Sequence, residues 1–210
     1  QSGSDWGLTL ESSGQDRSGE DYLLHYTLEN DILSIWSTPE QMESDGSSEI
    51  TARVVVTVPE GRTLERINLD TVSGDISLTK VTANEVSVDT TSGDVTAERL
   101  TAGSVRFETV SGDVGLDCLA APSAISLDSV SGGLSFSGPL SPDVRLTTIS
   151  GDVEIAADNT EEECAYDLSC VSGRIRIDGT SIESSIRKAE GEISLNVNSV
   201  SGDITVDFGG

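Results

Sequence analysis

A short phrase that recurs along the chain decides the fold, and its clearest copy is Thr109-Val110-Ser111-Gly112-Asp113. Seven related copies contain Gly74, Gly93, Gly132, Gly151, Gly173, Gly191 and Gly202, of which the Gly191 copy is degenerate. Successive glycines are separated by 19, 19, 20, 19, 22, 18 and 11 residues. Self-similarity at a nearly constant period is the sequence signature of a repeat architecture.

Apolar residues alternate with polar ones on both sides of each glycine. In the central copy they are Val105 and Phe107 before Gly112, and Val114 and Leu116 after it. Alternation with period two predicts β-strands. Because two short strands cannot bury their own apolar face, the copies must stack with like residues in columns. The sequence therefore predicts an all-β fold, a parallel β-helix-like solenoid with coils of about 19 residues.

The glycines are predicted to be structural corners that take a positive φ or allow a close backbone approach. They are Gly74, Gly93, Gly112, Gly132, Gly151, Gly173 and Gly202. A column of Thr and Ser residues stands three positions before these glycines and is expected to face inward. A second, turn-rich corner is expected at segments such as Thr82-Ala83-Asn84 and Thr101-Ala102-Gly103. A meander sandwich is the competing architecture.

Residues 1–65 lack the repeat and predict an N-terminal antiparallel β cap on the solenoid of residues 66–210. Strands are expected at 6–10, 22–28, 32–36 and 50–58, with a hairpin turn at Glu29-Asn30-Asp31. At the other end the glycine spacing falls to 11, which predicts that the solenoid loses its full coil and closes.

Composition narrows the range of functions. With 37 acidic and 12 basic residues the net charge is -25, which opposes binding to nucleic acid or to an anionic membrane surface. No apolar run is long enough for membrane insertion. The single histidine, His25, is interpreted as structural, and any catalytic mechanism or metal site that needs two histidines is excluded. Aromatic residues make up only 4% of the chain, so the core must consist of small aliphatic side chains.

The three cysteines, Cys118, Cys164 and Cys170, fit no zinc pattern and are interpreted as buried small hydrophobes. One bridge, Cys164–Cys170 or Cys118–Cys164, is the alternative, and it needs residues 160–163 to form a loop. The chain begins at Gln1 without an apolar leader. This start is interpreted as the result of signal-peptide removal or of trimming of the sequence. Together with the acidity and the scarcity of lysine, this predicts an exported bacterial protein; salt adaptation is the alternative.

The outward columns are the candidate sites. Acidic residues stand four before the glycines, and Asp75, Asp94 and Asp113 directly follow them. A solvated acidic face is the expected role of these side chains; a weak calcium ladder on Asp75, Asp94 and Asp113 is the alternative. No other cofactor or metal is expected. Arg106 and Arg145 share an outward column, but no insertion walls a cleft, so catalytic residues are not expected.

The segment Val56-Thr57-Val58-Pro59-Glu60-Gly61, followed by repeated Val-Ser-Gly-Asp-Val/Ile units, resembles the bacterial adhesin-like family of β-solenoid domains, whose molecular function is unknown. The resemblance covers about residues 50–208 and implies a secreted or cell-surface β-solenoid. It favours a non-enzymatic, monomeric interaction module that binds a protein or glycan. An envelope-stress sensing or regulatory module is the alternative, and a polysaccharide-acting enzyme is the third hypothesis.

Overall fold

The computed structural model describes residues 6–13, 24–37, 51–120 and 122–209, and the chain divides into two compact units, Gln1–Arg62 and Thr63–Gly210. The described regular structure is all β apart from one 3-10 turn, Glu161–Glu163. The strands are β1 Gly7–Ser13, β2 Leu24–Glu29, β3 Ile32–Ser37, β4 Thr51–Thr57, β5 Leu64–Ser73, β6 Ile76–Thr79, β7 Thr82–Ser92, β8 Val95–Ser111, β9 Val114–Cys118, β10 Ala124–Ser131, β11 Leu134–Gly138, β12 Asp143–Ser150, β13 Val153–Ala157, β14 Cys164–Ser172, β15 Ile175–Ile177, β16 Thr180–Ile182, β17 Ser185–Lys188, β18 Ile193–Ser201 and β19 Ile204–Phe208.

The first unit contains two antiparallel strand pairs, β1 with β4 and β2 with β3. The β2–β3 hairpin turns at Asn30 and Asp31, whose φ angles of 51° and 63° are those of a type I′ turn. His25 stacks on Trp36 across this hairpin, with ring centroids 5.6 Å apart. The predicted strand starts at residues 22 and 50 lie outside the described residues. The role of this unit as a cap stays a prediction.

The second unit repeats one structural element, a rung, made of the strand before a Ser-Gly corner and the strand after it. Neighbouring rungs pair through parallel strands, so the first strands form one stack and the second strands another. We number the rungs by position: rung 1 is β5–β6, rung 2 is β7 and the start of β8, rung 3 is the rest of β8 and β9, rung 4 is β10–β11, rung 5 is β12–β13, rung 6 is β18–β19 and rung 7 is β14–β15.

Equivalent residues stand in register along the stack, as the repeat predicts. Val86 lies between Ile67 on one side and Val105 on the other, each in a parallel pairing. A meander sandwich would need antiparallel neighbours, and among the described residues of the second unit antiparallel pairing occurs only where β16 and β17 line rung 7. Rungs that are neighbours in the stack are therefore parallel and in register.

The core fills the space between the two stacks with the apolar positions of the repeat. Val88, Phe107, Leu127, Leu146 and Leu168 form one of its columns and are completely buried. In rung 1 the equivalent Leu69 is only half-buried, because β5 has a strand partner on one side alone. Small aliphatic side chains dominate the buried set, as the low aromatic content requires.

The second corner differs from the expectation. Thr82-Ala83-Asn84 opens strand β7, and Thr101-Ala102-Gly103 lies inside β8, which continues through the corner. The bend occurs earlier, at Lys80 and Arg99, which have φ angles of 56° and 54°. Positive φ at these two residues, with a register shift between Ala97 and Leu100, turns the chain while the ladder continues.

The C-terminal end is also different, and the predicted loss of a full coil is wrong. Rung 6, residues 193–208, is complete and pairs in parallel with rung 5 on one side and rung 7 on the other. The chain thus leaves rung 5, forms rung 7, folds back through β16 and β17, and fills the gap between them. Gly191 does not belong to the corner column, because it lies against Cys164 at the opposite corner.

The cysteine bridges considered from the sequence do not form. Cys118, Cys164 and Cys170 are all free and buried, as small hydrophobic residues of the core. Cys164 and Cys170 begin and nearly end one straight strand, β14, so their α-carbons are about 20 Å apart. Burial raises the pKa of the Cys118 thiol to about 12 and that of Cys164 to about 11.

Candidate ligand face along the Ser-Gly corner

The corner glycines are fixed by contact between rungs. A Cβ on Gly112 would lie 2.1 Å from the carbonyl oxygen of Gly93, and φ there is 149°. The same clash recurs in rungs 2 to 7, so the backbones approach too closely for any side chain. Gly151 and Gly173 are held by this approach alone, because their φ lies outside the positive range. In rungs 2 to 7 the predicted structural corners are therefore close-approach sites, whereas Gly74 in rung 1 has a positive φ of 153° but no such close neighbour.

The hydroxyl column three residues before each glycine faces the core, as expected. Thr148 and Ser199 donate to the carbonyl oxygens of Gly132 and Gly151, one rung away, at 3.3 Å each. The hydroxyls of Thr90, Thr109 and Ser129 are buried without a hydrogen-bond partner among the described residues. This column thus helps to join the corners in the second half of the stack.

The aspartates after the corner form a hydrogen-bonded ladder. A carboxylate oxygen of Asp75 accepts from the backbone N–H of Asp94 at 3.0 Å, and Asp94 accepts from Asp113 at 2.8 Å. Asp113 continues the ladder to the N–H of Gly133 at 2.7 Å. The set Asp75, Asp94, Asp113, Asp152 and Asp203 is called the aspartate ladder below. Each member closes one rung on the next, a structural role that explains why aspartate follows the glycine.

The hydrogen bonds of the aspartate ladder determine which carboxylate oxygens are left for the calcium binding considered from the sequence. One oxygen of Asp75, Asp94 and Asp113 is occupied by a backbone amide, which leaves the other for solvent or a cation. Within the described residues no three His, Cys, Asp or Glu side chains come together as a metal site. Calcium binding on Asp75, Asp94 and Asp113 stays a prediction, and its test is given in the Discussion.

An exposed apolar column lies two residues before each glycine, and the sequence analysis missed it. Its members, in stack order, are Val72, Thr91, Val110, Val130, Ile149, Val200 and Val171, called the valine stripe below. Its six apolar side chains are between 44% and 76% exposed. The available signal was a β-branched apolar residue at this position of every copy except those of Gly93 and Gly191.

Carboxylates flank the valine stripe on both sides in rungs 1 to 3 and on one side in rungs 4 to 6. The aspartate ladder lies across the corner, and a second column, Asp70, Asp89, Glu108 and Asp128, lies two residues before the stripe and is called the acidic column below. Within the described residues, salt bridges reach only Glu108, from Arg106, and Asp203, from Arg176 at 3.4 Å. In rungs 1 to 6 the stripe is therefore an apolar surface bordered by carboxylates, whereas rung 7 has Ser169 and Arg174 at these positions.

Arg106 and Arg145 lie on the outer face of the first stack, two rungs apart, with Ser126 between them. They line a shallow groove of about 350 Å³ whose floor contains the small residues Ser104 and Ala124. Arg106 forms its ion pair with Glu108, so that carboxylate is engaged. The arrangement brings together neither a pair of free carboxylates nor a nucleophile with a base.

No helix in the described part of the chain is long and apolar enough to cross a membrane. No curated protein and no solved structure matches the chain at a significant level. The profile of the Toastrack DUF4097 family, a β-rich repeat domain of unknown function, matches residues 1–138 and again residues 120–208. The two matches together cover nearly the whole chain and overlap within the repeats. The chain therefore belongs to the Toastrack DUF4097 family.

Proposed function

We propose that the protein is a non-enzymatic, adhesin-like interaction module of the bacterial cell surface or exterior, built on a β-solenoid. The parallel, in-register stacking of seven rungs supports the solenoid. The observation that carries the function is the valine stripe, because a folded protein rarely leaves a column of six apolar side chains exposed unless it meets a partner. A stack with a tightly packed core presents this column as a rigid surface.

A protein is the favoured partner over a glycan. The stripe offers aliphatic methyl groups, which bury well against apolar side chains. It offers no aromatic ring on which a sugar could stack, since neither flanking column contains an aromatic residue and the residue between stripe and corner is serine in every rung. Burial of apolar area on a preformed surface adds affinity at little conformational cost, because Val and Ile have few rotamers to lose.

The test compares the wild-type chain with the double variant Val110→Ser/Ile149→Ser on protein and glycan arrays. These two residues lie in rungs 3 and 5, and both are 50% exposed, so the substitutions should leave the core intact. Leu119→Ser, at an apolar residue 55% exposed outside the stripe, is the matched control. We expect protein hits that bind the wild type and the control at least tenfold better than the double variant. Hits that bind all three equally, or an absence of protein hits, would contradict the proposal.

A further inference from the structure

We infer that the valine stripe takes a basic amphipathic α-helix, laid along the stack with its apolar face on the stripe. This rests on the proposed function and names the partner's chemistry. The helix's Lys and Arg side chains would lie over the acidic column of rungs 1 to 4 on one side and over the aspartate ladder on the other.

The charge pattern argues for a basic partner. Nine carboxylates flank the stripe, five in the aspartate ladder and four in the acidic column, and only Glu108 and Asp203 have a basic partner among the described residues. The whole chain carries a net charge of -25, so a second copy would be repelled at this face. Complementary charge on a partner would speed its encounter and fix its orientation.

The spacing argues for a helix. Rungs repeat every ~4.8 Å along the stripe, and an α-helix presents its apolar face once per ~5.4 Å turn. Because the mismatch is only ~0.6 Å per rung, about four helical turns stay aligned with successive rungs. An extended peptide repeats its like-facing side chains every ~6.7 Å and falls out of step within two rungs.

The width of the face also fits. The acidic column and the aspartate ladder are five residues apart along a bent chain, which is at most about 17 Å. A helix with its side chains is about 10–12 Å across, so long basic side chains at both borders of its apolar face reach both carboxylate columns. Contact on both sides is what an amphipathic helix with basic borders provides.

The experiment uses three labelled peptides of about 14 residues, the length of four helical turns. The first places Leu on one face with Lys and Arg at its borders, the second scrambles that composition, and the third replaces the basic residues with Glu. Binding to the wild-type chain is followed by fluorescence anisotropy at low and high sodium chloride. We expect the first peptide to bind at least tenfold more tightly than either of the others, and to weaken as salt rises.

Three protein variants locate the site. Val110→Ser/Ile149→Ser should reduce affinity at least tenfold, while Asp89→Asn/Asp94→Asn should reduce it less and flatten its salt dependence. Asparagine at position 94 keeps the oxygen that accepts from Asp113, so the ladder remains. Glu154→Gln, on the outer face of the second stack, is the control and should leave binding unchanged.

The inference of a helical partner would be overturned if the scrambled peptide bound as tightly as the first peptide. It would also be overturned if the first peptide bound Val110→Ser/Ile149→Ser as tightly as the wild type. If the helical peptide fails while array hits still depend on Val110 and Ile149, the inference fails and the proposed function stands. If the array hits do not depend on these residues, the proposed function itself fails.

Discussion

At the scale of single residues, contacts between backbones decide which side chains the corner tolerates. Glycine is needed because the preceding rung's carbonyl oxygen occupies the space of a Cβ, and aspartate follows it because its carboxylate reaches the next rung's N–H. The two requirements are separate: the first excludes every side chain, while the second selects a short side chain with an acceptor oxygen. Each can be tested by one substitution.

Gly112→Val should destabilise the protein by more than about 1–3 kcal/mol, because it combines a strained φ with a steric clash. The Cβ would lie 2.1 Å from the carbonyl oxygen of Gly93, so rungs 2 and 3 must separate at the corner. Urea unfolding of the variant measures the loss. Ser111→Val, at the exposed neighbouring position, is the control and should change stability little; equal stability of all three chains would show that the corner is ordinary.

Gly133→Asp should stabilise the protein, because Gly133 is the one member of the corner series that interrupts the aspartate ladder. The new carboxylate should accept from the N–H of Asp152, a gain of about 0.5–1.5 kcal/mol for one hydrogen bond. There is room, since a Cβ would lie no closer than 3.5 Å to its neighbours.

Repulsion from Asp113 and Asp152 should reduce this gain at low salt. Gly133→Asn supplies the same acceptor without the charge, so its gain should not depend on salt. The measurement is thermal unfolding of both variants across a sodium chloride series. A loss of stability in both variants at high salt would contradict the hydrogen-bond role of the ladder.

At the scale of strands, the position of rung 6 between rungs 5 and 7 is the unexpected feature. The sequence predicted the strands, their parity and the parallel register, because alternation and a constant period specify them. It could not order the rungs, since every rung presents nearly the same inward residues and any two would stack. The glycine spacings of 22 and 11 were the only signal that the chain skips a level and returns.

The valine stripe was missed for a related reason. Valine has a high β propensity, so Val110 or Val130 in a predicted strand needs no further explanation. Only the structure shows that these side chains point away from the core beside the corner. A single exposed apolar side chain is common. It becomes informative when the same position of successive rungs is also apolar and exposed.

Leu195→Ala tests the insertion of rung 6. The side chain is completely buried, so its removal should cost about 2–5 kcal/mol. Because rung 7 pairs with rung 6, hydrogen exchange should accelerate in residues 164–177 together with 193–208. Leu69→Ala in rung 1 is the control and should leave 164–177 protected. Unchanged protection of rung 7 in the Leu195 variant would show that the two rungs do not depend on each other.

At the scale of the whole molecule, the net charge of -25 should oppose the compact state at low ionic strength. Sodium chloride should raise the melting temperature gradually, as screening shortens the Debye length to about 10 Å at 0.1 M. If the aspartate ladder is solvated, calcium should raise the melting temperature no more than magnesium does.

A calcium site on Asp75, Asp94 and Asp113 would instead give a saturable, calcium-specific rise in melting temperature that follows mass action. Asp94→Asn should then weaken that rise while it keeps the hydrogen bond to Asp113. We expect the solvated behaviour. A saturable shift that this substitution abolishes would establish the metal site.

The place of rung 6 has a consequence for how the protein is made. A chain that leaves the ribosome, or crosses a membrane, N-terminus first delivers residues 164–177 before the segment 193–208 that separates them from rung 5. Until residue 208 has emerged, rung 7 can pair with β16 and β17 but lacks its parallel neighbour, rung 6. Vectorial folding can therefore complete rungs 1 to 5 in order of synthesis, but this end of the stack can be assembled only after its last strand has been delivered.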